Sequence, residues 1–66
     1  MAGDPVSWLL VERGWAVVDA SGGRVGKVDE VLGDQQTGIF HGLIVGGDEI
    51  LAERIAEIRE GEIRLS

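Results

Sequence analysis

The 66-residue chain has no cysteine, one histidine, one proline and three aromatic residues, Trp8, Trp15 and Phe40. Without cysteine there are no disulfides, thiolate zinc sites or cysteine nucleophiles, and a reducing compartment suits the chain. Basic clusters are also missing. Twelve acidic residues stand against six basic ones, and the formal charge of −6 repels phosphate backbones, which argues against nucleic-acid binding. Apolar runs such as Trp8-Leu9-Leu10-Val11 fall far short of the ~20 residues that span a bilayer. Met1-Ala2-Gly3-Asp4 lacks the basic start of a signal peptide, so a soluble cytoplasmic protein with no membrane insertion is expected. A chain this short buries only about 60% of its unfolded surface, and its stability is marginal without disulfides, metal or a partner. Self-association is the prop left, and a homodimer enters as an expectation.

What the chain has is glycine and branched aliphatic residues. Eleven glycines punctuate short runs of Val, Ile and Leu, with turn signals recurring roughly every ten residues, the rhythm of several short strands in one barrel or sandwich. Residues 1–7 read as a tail, in which Asp4-Pro5 could cap a helical turn, and residues 8–66 as one domain. Trp8-Leu9-Leu10-Val11 shows no helical stripe and reads as an early strand or irregular segment. Gly14–Asp19 reads as a strand. A two-residue loop at Ser21-Gly22 would set Val18 against Val25, Asp19 against Arg24 and Trp15 against Val28. A four-residue loop at Asp34-Gln35-Gln36-Thr37 would set Leu32 against Ile39, Val31 against Phe40 and Glu30 against His41. A third turn is expected at Gly46-Gly47-Asp48. In this register Val28, Leu32, Ile39 and Leu43 share a face with Glu30 and His41, a conflict that a bulge near Gly26 or Gly42 would remove.

Residues 48–60 fit two patterns. Leu51, Ile55 and Ile58 lie at helical spacing behind Asp48 as a cap. As a hairpin with a Glu60-Gly61 loop, Arg59 faces Glu62, Ile58 faces Ile63, Glu57 faces Arg64 and Ala56 faces Leu65. Apolar and opposite-charge pairs then alternate as a half-buried antiparallel pair requires. A helix would leave Glu62–Leu65 without an obvious partner, which favours a helical turn at Ala52–Ile55 followed by two strands.

The order Gly14–Val18, Gly23-Arg24-Val25-Gly26-Lys27-Val28, Val31-Leu32, Asp34, Gly38-Ile39-Phe40, Leu43-Ile44-Val45, Ala52–Ile55 and Gly61–Leu65 resembles the PRC-barrel family. That small β-barrel is shared by the photosynthetic reaction-centre H subunit and the C-terminal domain of the bacterial ribosome maturation factor. The resemblance covers about residues 8 to 66 and implies an all-β, small antiparallel barrel of five to six short strands with one short helical turn, standing alone as a single domain. Two departures stand out: Leu51 where members often have proline, and only Gly46–Glu49 where many have a longer excursion. The resemblance implies a docking or assembly module rather than an enzyme, with no catalytic or cofactor-binding residue to carry over.

Candidate chemistry in the residues themselves is thin. Ser21-Gly22-Gly23-Arg24-Val25-Gly26-Lys27-Val28 approaches a phosphate loop, but Ser21 replaces its first glycine and Val28 its hydroxyl residue. The stretch that follows is too short for the helix that should hold the anion. Glu30 and His41 form a candidate polar site, with a rim histidine paired to a carboxylate as the plainer reading. Neither Asp29, Glu30 and Asp34 nor Asp48 and Glu49 have the spacing of a calcium loop, so no metal is expected. Trp8, Trp15 and Phe40 are candidate interface anchors, although a core this small also needs them: Trp15 reads better as core and Trp8 equally as dimer contact. The leading expectation is a non-enzymatic module that binds another protein, itself included. The alternatives are a small-molecule or ion-binding barrel with Glu30 and His41 at its mouth, and a structural module with no ligand of its own.

Overall fold

The computed structural model describes residues 7–66. The Asp4-Pro5 cap and the tail ahead of Ser7 lie outside the described residues. A first 3-10 turn, Trp8–Leu10, replaces the expected early strand or irregular segment; the Ser7 hydroxyl accepts from the Leu9 N–H at 3.2 Å and starts it. Six strands follow: β1 Ala16–Val18, β2 Arg24–Asp34, β3 Ile39–Val45, β4 Asp48–Leu51, β5 Ile55–Arg59 and β6 Glu62–Leu65. A second 3-10 turn, Ala52–Arg54, joins β4 to β5. The hairpin reading of residues 48–60 holds and the amphipathic helix does not form.

The strands make one curled sheet in the order β4-β3-β2-β1-β6-β5. Neighbours pair antiparallel except β1 and β6, which run parallel with Val17 beside Ile63. The all-β barrel is therefore correct in class, and one of its seams departs from the antiparallel pattern. The eleven-residue β2 belongs to both halves of the sheet: its first part pairs with β1 and its second with β3. Gly26 sits where the halves approach. A Cβ added there would lie 3.0 Å from Val45 Cγ1, so the missing side chain lets β2 close over β3.

The core is small and aliphatic: Val11, Val17, Val28, Leu43, Val45, Ile63 and Leu65, with Trp15, Val31, Phe40, Ile50, Ile55 and Ile58 packed partly buried against it. Bulges make this core possible. The first hairpin loop holds three residues, Ala20-Ser21-Gly22, rather than two: Gly22 N–H donates to the Asp19 carbonyl, and Asp19 N–H donates to the Gly23 carbonyl. This sets Val18 against Arg24, not Val25, and pairs Asp19 with Gly23, not Arg24. Val25 is then the extra residue of a bulge, after which Val17 meets Gly26, and Trp15 bonds to Val28 as expected.

In the second hairpin the loop is Gln35–Gly38, one residue later than expected, and Asp34 pairs with Ile39. Further along, Leu32 meets Gly42, Val31 meets Leu43 and Glu30 meets Ile44, with the register shifting between Leu32 and Gly33 and again between Val28 and Glu30. In the last hairpin three of the four expected pairs form, while Leu65 faces Ile55 because Ala56 is bulged out.

Candidate functional site

Strand alternation decides what β3 shows to the outside. Leu43 and Val45 point into the core, so Ile44 between them points away from it. Its neighbours on that outer row are Glu30 of β2 and Glu49 of β4. The next outer row is Leu32, Gly42 and Leu51, with no side chain at its centre, and Ile39 lies beyond it beside Asp34. Ile39 and Leu51 are exposed, at 53% and 47%, and Ile44 and Leu32 are half-buried without joining the core cluster. The outer face of β2–β3–β4 is thus an apolar strip with a glutamate on either side of Ile44.

The charge carried by the strands of this strip from Val28 to Leu51 has one sign. From Val28 to Leu51 the sequence carries Asp29, Glu30, Asp34, Asp48 and Glu49 and no Lys or Arg. Two of these carboxylates are engaged in shaping turns. Asp29 accepts from the Gly47 N–H at 3.3 Å, and Asp34 from the Gln36 N–H at 2.9 Å. Gly46 and Gly47 form a two-residue hairpin loop with φ of 59° and 86°, the positive values a primed turn requires. Basic residues collect elsewhere. Arg24 and Arg64 flank Val18, Lys27 flanks Ala16, and Arg59 pairs with Glu62, so four of the six lie on the outer face of β2–β1–β6–β5. There they alternate with Glu57 and Glu62, and Arg59 Nε donates to Glu57 at 2.6 Å.

The residues singled out in the sequence fall into three groups. Trp8 stacks on Phe40 with ring centroids 5.3 Å apart, and its ring lies over Gly33, where an added Cβ would sit 2.7 Å from it. Trp15 packs half-buried against the core. Glu30 and His41 do not face one another: Glu30 pairs with Ile44, and His41 is the extra residue of the bulge between Leu32 and Gly33. Both are exposed, and the expected pairing fails because the later loop pairs Asp34 with Ile39, a register shift of two, and the His41 bulge adds a third.

The glycine-rich stretch is a hairpin loop whose donors are already taken. Asp19 Oδ1 accepts from Ser21 Oγ at 2.8 Å, from Ser21 N–H at 3.0 Å and from Gly23 N–H at 2.8 Å. The Ser21 hydroxyl and then the Gly23 N–H hold this carboxyl below its ordinary range. A carboxylate of the chain thus occupies the N–H groups that a phosphate would need. Among the described residues no group of three His, Asp or Glu side chains could hold a metal ion, and no helix is long and apolar enough to cross a membrane.

The outer strip itself was missed in the sequence. Its signal was present in Leu43-Ile44-Val45: three apolar residues in one strand cannot all face one core, and the middle one must face out. Among known proteins, the family model described as PRC-barrel domain matches residues 13–64. No curated protein matches the chain.

Proposed function

The chain belongs to the PRC-barrel family, small domains that are in general non-catalytic, and from this premise we propose that it is a protein-docking module that works in the cytoplasm without a cofactor. The observation that carries this reading is the apolar strip Leu32, Ile39, Ile44 and Leu51, set on the face of β2–β3–β4 opposite the core. Apolar groups kept outside so small a core add nothing to its interior, and covering them is what association rewards. The rival reading, a small-ligand barrel with Glu30 and His41 at its mouth, loses the pairing on which it rested. The homodimer expected from the small size remains one form of docking. Trp8 and Phe40, two of its assigned anchors, are already stacked on each other within the chain.

The test is hydrogen exchange on the purified chain with and without proteins captured on it. A docking module shows new amide protection on a contiguous surface, with β3 and β4 expected to change. If nothing is captured, no concentration-dependent mass increase appears in light scattering, and a thermal shift responds to metabolites instead, the docking reading is overturned.

A further inference from the structure

We propose that the outer face of β2–β3–β4 receives a cationic polypeptide segment with apolar side chains, one that seats on Ile44, Leu32 and Leu51 and places Lys or Arg against Glu30 and Glu49. The inference rests on the docking reading above and gives it a surface and a partner class.

Geometry supplies the first argument. Glu30, Ile44 and Glu49 form one row across three strands, so the backbone positions of the two glutamates lie about 9.5 Å apart, two strand spacings, with the apolar residue between them. The next row, Leu32 and Leu51 on either side of Gly42, widens the apolar centre. An apolar centre with a charged rim is the general anatomy of a protein-binding patch.

Charge then selects the occupant. A symmetric dimer through this face would set Glu30 and Glu49 against their own copies, with no Lys or Arg between residues 28 and 51 to intervene. A head-to-tail contact that also set clustered cations against Glu30 and Glu49 would use the basic face around Arg24, Lys27 and Arg64. Its central Val18 is only 7% exposed and Val25 is its large apolar residue that is exposed, beside the small Ala16, so the face offers little anchor for the strip. Leu9 and Leu10, 51% and 59% exposed, belong to the first 3-10 turn and not to this face. Two chains of formal charge −6 also repel one another. Nucleic acid and anionic lipid meet the same repulsion. A cationic, apolar-bearing segment of another protein is attracted by the field and filled by the strip.

The test titrates the ¹⁵N-labelled full chain with three heptapeptides, alternating Lys-Leu, Lys-Ser and Glu-Leu, followed by amide shifts at low and raised salt. The Lys-Leu peptide should give saturable shifts at Leu32, Ile44, Glu49 and Leu51. Its affinity should fall at least about tenfold in a Glu30→Lys/Glu49→Lys double variant and in Ile44→Thr, and should weaken with salt. Glu30→Gln/Glu49→Gln should give an intermediate loss, and an unchanged amide spectrum certifies each variant as folded. Equal binding of Glu-Leu, saturable shifts on the Arg24–Arg64 face instead, or self-association abolished by the same substitutions would each overturn the inference while leaving docking standing. No saturable shift with any peptide would overturn it as well. If, in addition, no captured protein protects any surface, the docking reading fails with it.

Discussion

A single oxygen organises the first hairpin. Asp19 Oδ1 collects three donors from Ser21 and Gly23, and its carboxyl is held below the ordinary range by the Ser21 hydroxyl first and the Gly23 N–H next. A carboxyl whose folded pKa lies below its unfolded one adds stability above the unfolded pKa and loses it as pH falls through the folded value. Asp19→Ala should therefore melt below the wild type at neutral pH, and the gap should narrow as pH is taken below about 4. Thermal melts of both proteins across that range check the sign; a gap that widens in acid contradicts it. Gly42 gives a second prediction at this scale. It has φ of 154°, and an added Cβ would overlap the backbone oxygen of Ile50, so the strain falls on backbone that cannot rotate away. A domain of this length holds roughly 3–10 kcal/mol of stability. Overlap with a neighbouring strand's backbone consumes several kcal/mol, and Gly42→Ala should show an unfolded amide spectrum at room temperature.

Within β3, two adjacent residues do opposite work. Leu43 is fully buried in the core and Ile44 faces outward between Glu30 and Glu49. Leu43→Ala should cost about 2–5 kcal/mol in urea unfolding, whereas Ile44→Thr, which keeps the β-branch, should cost less than about 1 kcal/mol. Equal losses would mean that the strand does not alternate as described. This contrast also shows what the sequence made legible. Hairpins joined by short loops were readable because glycines and turn residues mark them locally, as at Gly46-Gly47 and Glu60-Gly61, and the alternation of β5 and β6 fixed three of their four pairs. Bulges were readable only in part: the face conflict called for one near Gly26 or Gly42, and Val25 and His41 are bulged beside those two glycines. The bulges at Asp29 and Ala56 carry no local mark, since an extra residue is placed by packing against other strands. Gly26 illustrates the cause: its role depends on Val45, nineteen positions away in sequence. The parallel β1–β6 seam is likewise a contact between the two ends of the domain, which no local pattern encodes. The second loop, one residue later than expected, shifts the β2–β3 register by two and the His41 bulge shifts it by one more, and so Glu30 and His41 were expected together and are apart.

For the whole molecule, the excess of twelve acidic over six basic residues is distributed unevenly. Glu30 and Glu49 share a face with no cation between Val28 and Leu51, while Arg24, Lys27, Arg59 and Arg64 gather on the other half of the sheet. Net charge was legible from composition, but its segregation was not, because it depends on which strands neighbour one another. Two unit charges separated by about 9.5 Å, the spacing of the backbone positions of Glu30 and Glu49, repel by about 0.4 kcal/mol in water before screening. The Debye length is about 30 Å at 0.01 M salt and well under 10 Å above 0.15 M, so this repulsion is felt at low salt and mostly removed at moderate salt. For a domain near this size, 1 kcal/mol moves Tm by about 4–8 °C. The wild type should therefore gain about 2–6 °C between 10 and 300 mM sodium chloride, the pair supplying the lower end and the remaining carboxylates the rest. Glu30→Gln should melt about 2 °C higher than the wild type in 10 mM salt and gain correspondingly less on salt addition. A salt response that is the same in both proteins would remove this pair as a source of repulsion. Adding sucrose in place of salt separates the charge effect from general surface exclusion, because sucrose should raise both proteins equally and leave their difference in place.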